Sequence, residues 1–270
     1  MPPWLDRVRV VCERECRTVW RTRTYLLLAG GFGLLVAAVA LVSGVSGYVP
    51  LVLSLLTPLE LLVPLFAGAL GYPAIVGERA RDELDVHQTY PVSRAEYVAG
   101  VYLARTAALL ASVVFPLAVL VVLVPFFGRA ATPLPQSTGL DSPVLYFRFV
   151  TLTAVLGAVA LALFHVVSAV ARDERRGLVA TLVGLLVVVF GFDAAAVIGL
   201  GLGSEASAAV AVLSPTGAYR HLVLGLAVAP VTDAAAASLA DVAIGTVVLA
   251  AWLAVSLVLT GLFVWEPVES

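Results

Sequence analysis

Runs of twenty or more mostly apolar residues alternate along this chain with short polar segments. Six such runs stand out, at roughly 25–47, 51–77, 97–127, 144–171, 178–202 and 240–265. About 20 apolar residues let a helix cross the hydrocarbon core of a bilayer, so the pattern predicts an all-α integral membrane fold with six transmembrane helices. The second run contains Pro58, Pro64 and Pro73 and the third contains Pro116. Bends are expected there, since proline removes a ladder donor, while neighbouring helices satisfy the freed carbonyls. Ahead of the first run, Leu5, Val8, Cys12, Cys16 and Val19 recur at helical spacing, with Asp6, Arg9, Glu13, Arg17 and Arg21 on the other side. This predicts an amphipathic helix, and Trp4 and Trp20 at its ends suit a membrane interface. The stretch 203–239 is mildly apolar but interrupted by Ser204, Glu205, Pro215, Gly217, Pro230 and Asp233. It reads as short helices lying at the outer surface or dipping partway in, rather than a seventh span.

Composition sharpens the picture. Hydrophobic residues make up 61% of the 270-residue chain and charged residues only 13%, against about 45–50% apolar in soluble domains. A net charge of −2 gives no footprint for nucleic acid. The chain contains no lysine, so all 16 basic residues are arginines. A phosphate-binding Walker A loop needs a lysine, so no ATP hydrolysis by that route is expected. No HExxH, GxSxG or paired intramembrane aspartate motif is present either, and no catalytic residue is assigned. Cys12 and Cys16 are the only cysteines. They stand one turn apart and could bind a soft metal with His87, but two thiols without a third nearby ligand are too few, so no metal site and no cofactor is expected.

The arginines are sorted. Arg7, Arg9, Arg14, Arg17, Arg21 and Arg23 precede the first run, Arg79, Arg81, Arg94 and Arg105 surround the second break, and Arg172, Arg175 and Arg176 fill the fourth. These segments share one side of a six-span topology, leaving only Arg129, Arg148 and Arg220 for the other. The positive-inside rule then places both termini in the cytosol of a multi-pass cell-membrane protein.

The break at 75–100, IVGERARDELDVHQTYPVSRAEYVAG, packs five acids (Glu78, Asp82, Glu83, Asp85, Glu96) with three arginines (Arg79, Arg81, Arg94). A charge at mid-bilayer costs at least about 2.5–3.5 kcal/mol, so this island must be aqueous. Its pattern is that of a helical hairpin made to be gripped by a partner. The shorter break ARDERRG, with Arg172, Asp173, Glu174 and Arg175, offers a second contact, though taken alone it also suits a solvated turn that fixes topology.

Those residues carry a resemblance. The arginine-rich start ECRTVWRTRTYLLL and the island between the second and third spans look like the permease subunit of ABC-2 type transporters, which shows a GERE-to-PVSR stretch there. Gly77, Glu78, Arg79, Glu83, Leu84, Pro91, Val92, Ser93 and Arg94 match it, while Arg81-Asp82 and Val86-His87-Gln88 depart from it. In LSPTGAYRHLV, Leu213, Pro215, Tyr219 and Arg220 resemble an outer motif of the branch containing the permease for nitrous-oxide-reductase maturation, the NosY-like type. The resemblance implies an elbow helix at 1–24 and a six-helix domain at 25–265, followed by a cytosolic tail at 266–270. Within the domain it implies a cytosolic coupling loop at 77–97, a second cytosolic loop at 171–177 and outer helices at 203–239. It implies an exporter subunit pairing with a second permease and with a separate cytosolic ATPase dimer. Glu78, Arg79, Asp82, Glu83, Leu84, Pro91 and Arg94 would dock the ATPase, seconded by Arg172, Asp173, Glu174 and Arg175.

Glu60, His165 and Asp193 fall inside apolar runs. Such groups face a bundle interior or a wet cavity. They read either as the polar lining of a path, or as groups near a span end bonded to neighbouring helices. An ion-coupled secondary transporter or channel subunit is the alternative function, distinguished by carboxylates and broken helices near the midplane. Gly30, Gly31 and Gly33 in the first run and Gly184 and Gly191 in the fifth offer close approach to a second subunit, or to helices of the same one.

Overall fold

The computed structural model describes residues 3–44, 47–81, 83–84, 90–127, 141–201, 207–231 and 238–265. Among them every regular element is helical: α1 (Pro3–Arg21), α2 (Arg23–Ser43), α3 (Tyr48–Gly71), α4 (Val76–Ala80), α5 (Arg94–Phe127), α6 (Pro143–Val170), α7 (Glu174–Leu186), α8 (Phe192–Gly201), α9 (Ser207–Val212), α10 (Pro215–Val223) and α11 (Leu239–Phe263). Six stretches are long and apolar enough to cross a membrane, at 23–43, 48–80, 94–123, 143–170, 174–201 and 239–263. Each falls within a few residues of an expected run. The fold is an all-α membrane bundle.

α3 and α6 are its most buried spans. Leu51, Leu55, Leu59, Leu70, Leu156, Leu161 and Phe164 are buried, and α2, α5 and α10 complete the core through Phe32, Val36, Leu109, Leu117 and Tyr219. Without a hydrophobic drive between helices in lipid, such packing must come from close van der Waals fit and interhelical hydrogen bonds. Tyr146 donates to the Leu117 carbonyl at 3.0 Å and Tyr102 to the Ala158 carbonyl at 3.0 Å. α3 accommodates Pro58 and Pro64 within one helix and ends before Pro73. The break after it is satisfied from α6: Ser168 Oγ accepts from the amides of Ile75 and Val76 and donates to the Tyr72 carbonyl.

The N-terminal helix and Trp265 meet at one end of the bundle, the terminal end, where Arg94 lies over the Trp265 ring and Arg7 reaches Glu96. At the opposite or far end Asp141 accepts from the amides of Tyr48 and Val49, tying the start of α6 to the start of α3.

Between α8 and α11 the chain does not stay at the far surface. Trp252 Nε1, well inside α11, donates to the Leu213 carbonyl, whereas Leu222 packs on Gly245 and Arg148 donates to the Leu226 carbonyl nearer the far end. α9 therefore descends into the bundle and α10 climbs back, a re-entrant hairpin with its tip at Leu213–Ser214. Of the stretch 203–239, the described part is 207–231. The spans' glycines divide: Gly184 sits against Phe164 and Gly191 against Val187 of the same chain, while Gly30 and Gly31 face open space.

Candidate functional site

At the terminal end, charge is organised by α1. The helix runs lengthwise beside the first turns of α5, shown by Arg7 bonding Glu96, Val8 and Val11 covering Gly100, and Glu15 bonding Arg105. α5 has 34 residues, about 50 Å at 1.5 Å per residue, well beyond the ~30 Å hydrocarbon core. Its surplus length is what α1 covers. Contact is close because Gly100 has no side chain: a Cβ there would lie 2.6 Å from Val11 Cβ. Arg105 is the deepest charge of this group. Its Nε donates to Glu15 at 2.7 Å with Nη2 2.5 Å from the same oxygen, Nη1 donates to the Leu70 carbonyl, and both side chains are almost wholly buried.

A second set of bonds closes over α4. Glu78 receives Arg14 from α1 and the Tyr97 hydroxyl from α5, the latter at 2.5 Å. Arg79 Nη1 donates to the carbonyls of Ala169 and Ala171 at 2.9 and 2.6 Å, and its Nη2 to the Val264 carbonyl at 3.3 Å. These are carbonyls at the C-terminal ends of α6 and α11, which have no intrahelical partner. Leu84 is buried in a small apolar cluster with Ile75, Tyr97, Val101 and Val264. The clamp thus joins α1, α4, α5, α6 and the end of α11.

This arrangement divides the residues expected to dock a partner. Glu78, Arg79 and Leu84 are turned into the subunit. Glu83, paired with Arg81 at 2.9 Å, Pro91 and Arg94 are exposed, as are Arg172, Asp173, Glu174 and Arg175. Asp173 caps α7 by accepting from the Arg176 amide at 2.8 Å. Asp82 lies outside the described residues, as do 85–89 of the island, 203–206 and 232–237 of the outer stretch, and the tail at 266–270. The two charged breaks adjoin: Val76 packs on Gly177, and Glu174 reaches toward Gly77. On α1 the hydrogen bond to Glu96, more than the charge of that acid, holds the Arg7 guanidinium above its ordinary pKa, and burial next to Cys16 pushes the Cys12 thiol up.

A separate cluster lies at membrane depth. Glu60 of α3, only 4% exposed, accepts Arg220 Nε at 2.8 Å and Nη2 at 2.6 Å, a two-point pair. Arg220 Nη2 also reaches Asp193 Oδ2 at 3.3 Å. Glu60, Asp193 and Arg220, singled out separately from the sequence, meet here. The hairpin brings them together. Ser214 caps α10 by accepting from the Gly217 amide and donates to the Ala211 carbonyl, with Pro215 opening the helix where no amide partner is needed. Gly217 is required by close approach, since a Cβ would run into the Ala211 carbonyl oxygen. Tyr219 bonds Thr153 of α6 at 2.9 Å. Between α7 and α8, residues Val187–Gly191 form a π-turn, whose widened ladder leaves carbonyls free. Thr216 donates to the Val188 carbonyl at 3.0 Å. Inserting a residue also rotates the rest of the helix by about 100°, which turns Asp193 toward Arg220.

His165 belongs to neither group. It is fully buried in α6, its Nδ1 is 2.7 Å from the Leu161 carbonyl oxygen, its ring meets Tyr102 edge-on, and its Nε2 has no hydrogen-bond partner. Its described contacts are those of helix packing.

Sequence reasoning missed Glu15, Arg14, Arg7, Thr153 and Thr216. A signal existed for Glu15: it stands one turn from Val19 in the apolar stripe of α1, where an acid makes sense only if a cation faces it. Arg105 is that cation.

A family model described as ABC-2 family transporter protein matches residues 35–265, from mid-α2 to the last described residue. No curated protein matches the chain.

Proposed function

Since this chain belongs to the ABC-2 family of transporter proteins, it is a membrane permease of an ATP-binding cassette transporter, and we propose that it works as an exporter subunit whose terminal end docks a separate cytosolic ATPase. The observation that carries this reading is the adjacency of the two charged breaks. Arg81 and Glu83 stand exposed beside Arg172, Asp173, Glu174 and Arg175, with Pro91 and Arg94 exposed at the same end. Each break leads directly into a spanning helix, α5 or α7. A mixed-sign surface suits docking by complementary charge, and a rigid joint to two spans suits transmission of nucleotide-driven closure. Glu78 and Arg79 act behind this surface by holding it to α1, α6 and α11. The arginine asymmetry supports a cytosolic terminal end, with both termini inside a cell-membrane protein. A second permease subunit completes the path, and a homodimer is the simplest form.

Glu60 and Asp193 at depth beside a broken helix are also what an ion-coupled carrier presents. Family membership instead assigns the energy source to an ATPase partner. The test is co-purification of the partner ATPase with the permease carrying Glu83→Lys and Arg175→Glu together. Recovery should fall at least about fivefold while insertion and elution stay normal, because both side chains are exposed. Undiminished recovery would remove the docking role from this surface.

A further inference from the structure

The mid-depth cluster holds two carboxylates against one guanidinium, and its charge is not closed. Glu60 lies about 18 Å from Tyr48 along α3, and Asp193 about 12 Å from the far end of α8, at 1.5 Å per residue. Both depths are near the middle of a ~30 Å hydrocarbon core. Glu60 takes Arg220 at two points, leaving Asp193 a single longer contact at 3.3 Å. The other oxygen of Asp193 has no partner among the described residues. Its side chain is 35% exposed and that of Arg220 41%, so the cluster opens on a face that the described residues do not cover. Lipid cannot be the cover, since an exposed carboxylate in hydrocarbon carries a desolvation cost that nothing there repays. The π-turn at Val187–Gly191, a feature common at functional sites, is what turns Asp193 to this face. Phe192, the residue before Asp193, meets Trp252 of α11 edge to face with centroids 6.3 Å apart, which puts aromatic surface within one residue of the carboxylate.

Resting on the permease reading above, we propose that the Asp193 face of this cluster is a cargo-recognition point for lipophilic cations. The net charge of one subunit's cluster is −1, and the open atom is a carboxylate oxygen. A cationic group there completes the pairing that Arg220 leaves half made, and the aromatic pair accepts the apolar body through ring contacts and cation–π attraction. An anion reaching the exposed side of Arg220 would meet a cluster whose two acids leave it net negative.

The test uses the full-length protein in lipid nanodiscs and two probes of nearly the same shape and opposite charge, tetraphenylphosphonium and tetraphenylborate, with empty nanodiscs as background. Tetraphenylphosphonium should bind saturably and tetraphenylborate should not. Asp193→Asn should weaken cation binding about tenfold or more, and Asp193→Glu should retain it. A measurement on the unmodified protein guards against a variant that fails to fold. Modification of Asp193 by a hydrophobic carbodiimide, followed by mass spectrometry, should be slowed by tetraphenylphosphonium and not by tetraphenylborate. Equal binding of both probes, cation binding unchanged in Asp193→Asn, or no protection of Asp193 would each overturn the proposal. Neither assay involves an ATPase, so loss of ATPase docking with intact cation binding would sink the coupling reading and leave this site standing.

Discussion

Arg105 and Glu15 show how much one buried pair decides. Each charge is taken from water, so the pair's net worth is modest, while removing one partner strands the other at a cost of about 3–5 kcal/mol. Arg105→Met should therefore lower the thermal midpoint of the detergent-solubilised protein sharply and loosen α1, read as new proteolysis near residue 21. The double variant Glu15→Leu with Arg105→Met should recover most of that loss, since an apolar pair of similar volume replaces the ions. A double variant no better than the single one would mean that the Leu70 carbonyl, not Glu15, is the partner that matters. Exposed Arg9–Glu13, spaced four apart on the same helix, should show no change in midpoint when Glu13 becomes Ala, because water screens it.

For the elements, the re-entrant hairpin is the most demanding piece of backbone in the molecule. Irregular chain at membrane depth is tolerated only where protein satisfies its polar groups, and here Ser214 and Trp252 do so around the tip. Ser214→Ala removes a helix cap worth about 0.5–2 kcal/mol and the Oγ bond to the Ala211 carbonyl, which keeps only the Ser214 amide. Gly217→Ala forces a methyl group into that same carbonyl and should cost more, beyond the ~1–3 kcal/mol of ordinary overpacking. Thermal midpoints of the two purified variants should fall in that order. If Gly217→Ala were as stable as the parent protein, the close turn between α9 and α10 would be wrong.

For the molecule as a whole, the terminal end collects thirteen of sixteen arginines in the cytosolic assignment, and that predicts sidedness. In a variant with Cys12 and Cys16 replaced, a cysteine at exposed position 175 should be blocked by an impermeant maleimide only after the membrane is opened. A cysteine at position 141, beside the start of α6, should react in sealed cells. Labelling of position 175 from outside would invert the topology and with it the docking surface. The native thiols must be removed because they lie at the same end; Cys12, protonated by burial, would react slowly and blur the kinetics.

Periodic and segregated properties were legible in the sequence. Span number and bounds follow from hydropathy, because any backbone in hydrocarbon must be helical or closed and about 20 residues are needed to cross. The helical spacing before the first span matches the helix found at Pro3–Arg21, and the GERARDEL and PVSR residues carried the family. Which residues of a motif serve the surface and which the interior was not legible, because that depends on what packs against them. Glu78 and Arg79 look like docking charges in a string of charges, and only the approach of α1, α6 and α11 makes them a clamp. Glu60, Asp193 and Arg220 lie far apart along the chain, and no local pattern links them. A re-entrant turn, a π-turn that rotates one helix and a two-point ion pair make them one site, and each of those is a property of the packed tertiary structure.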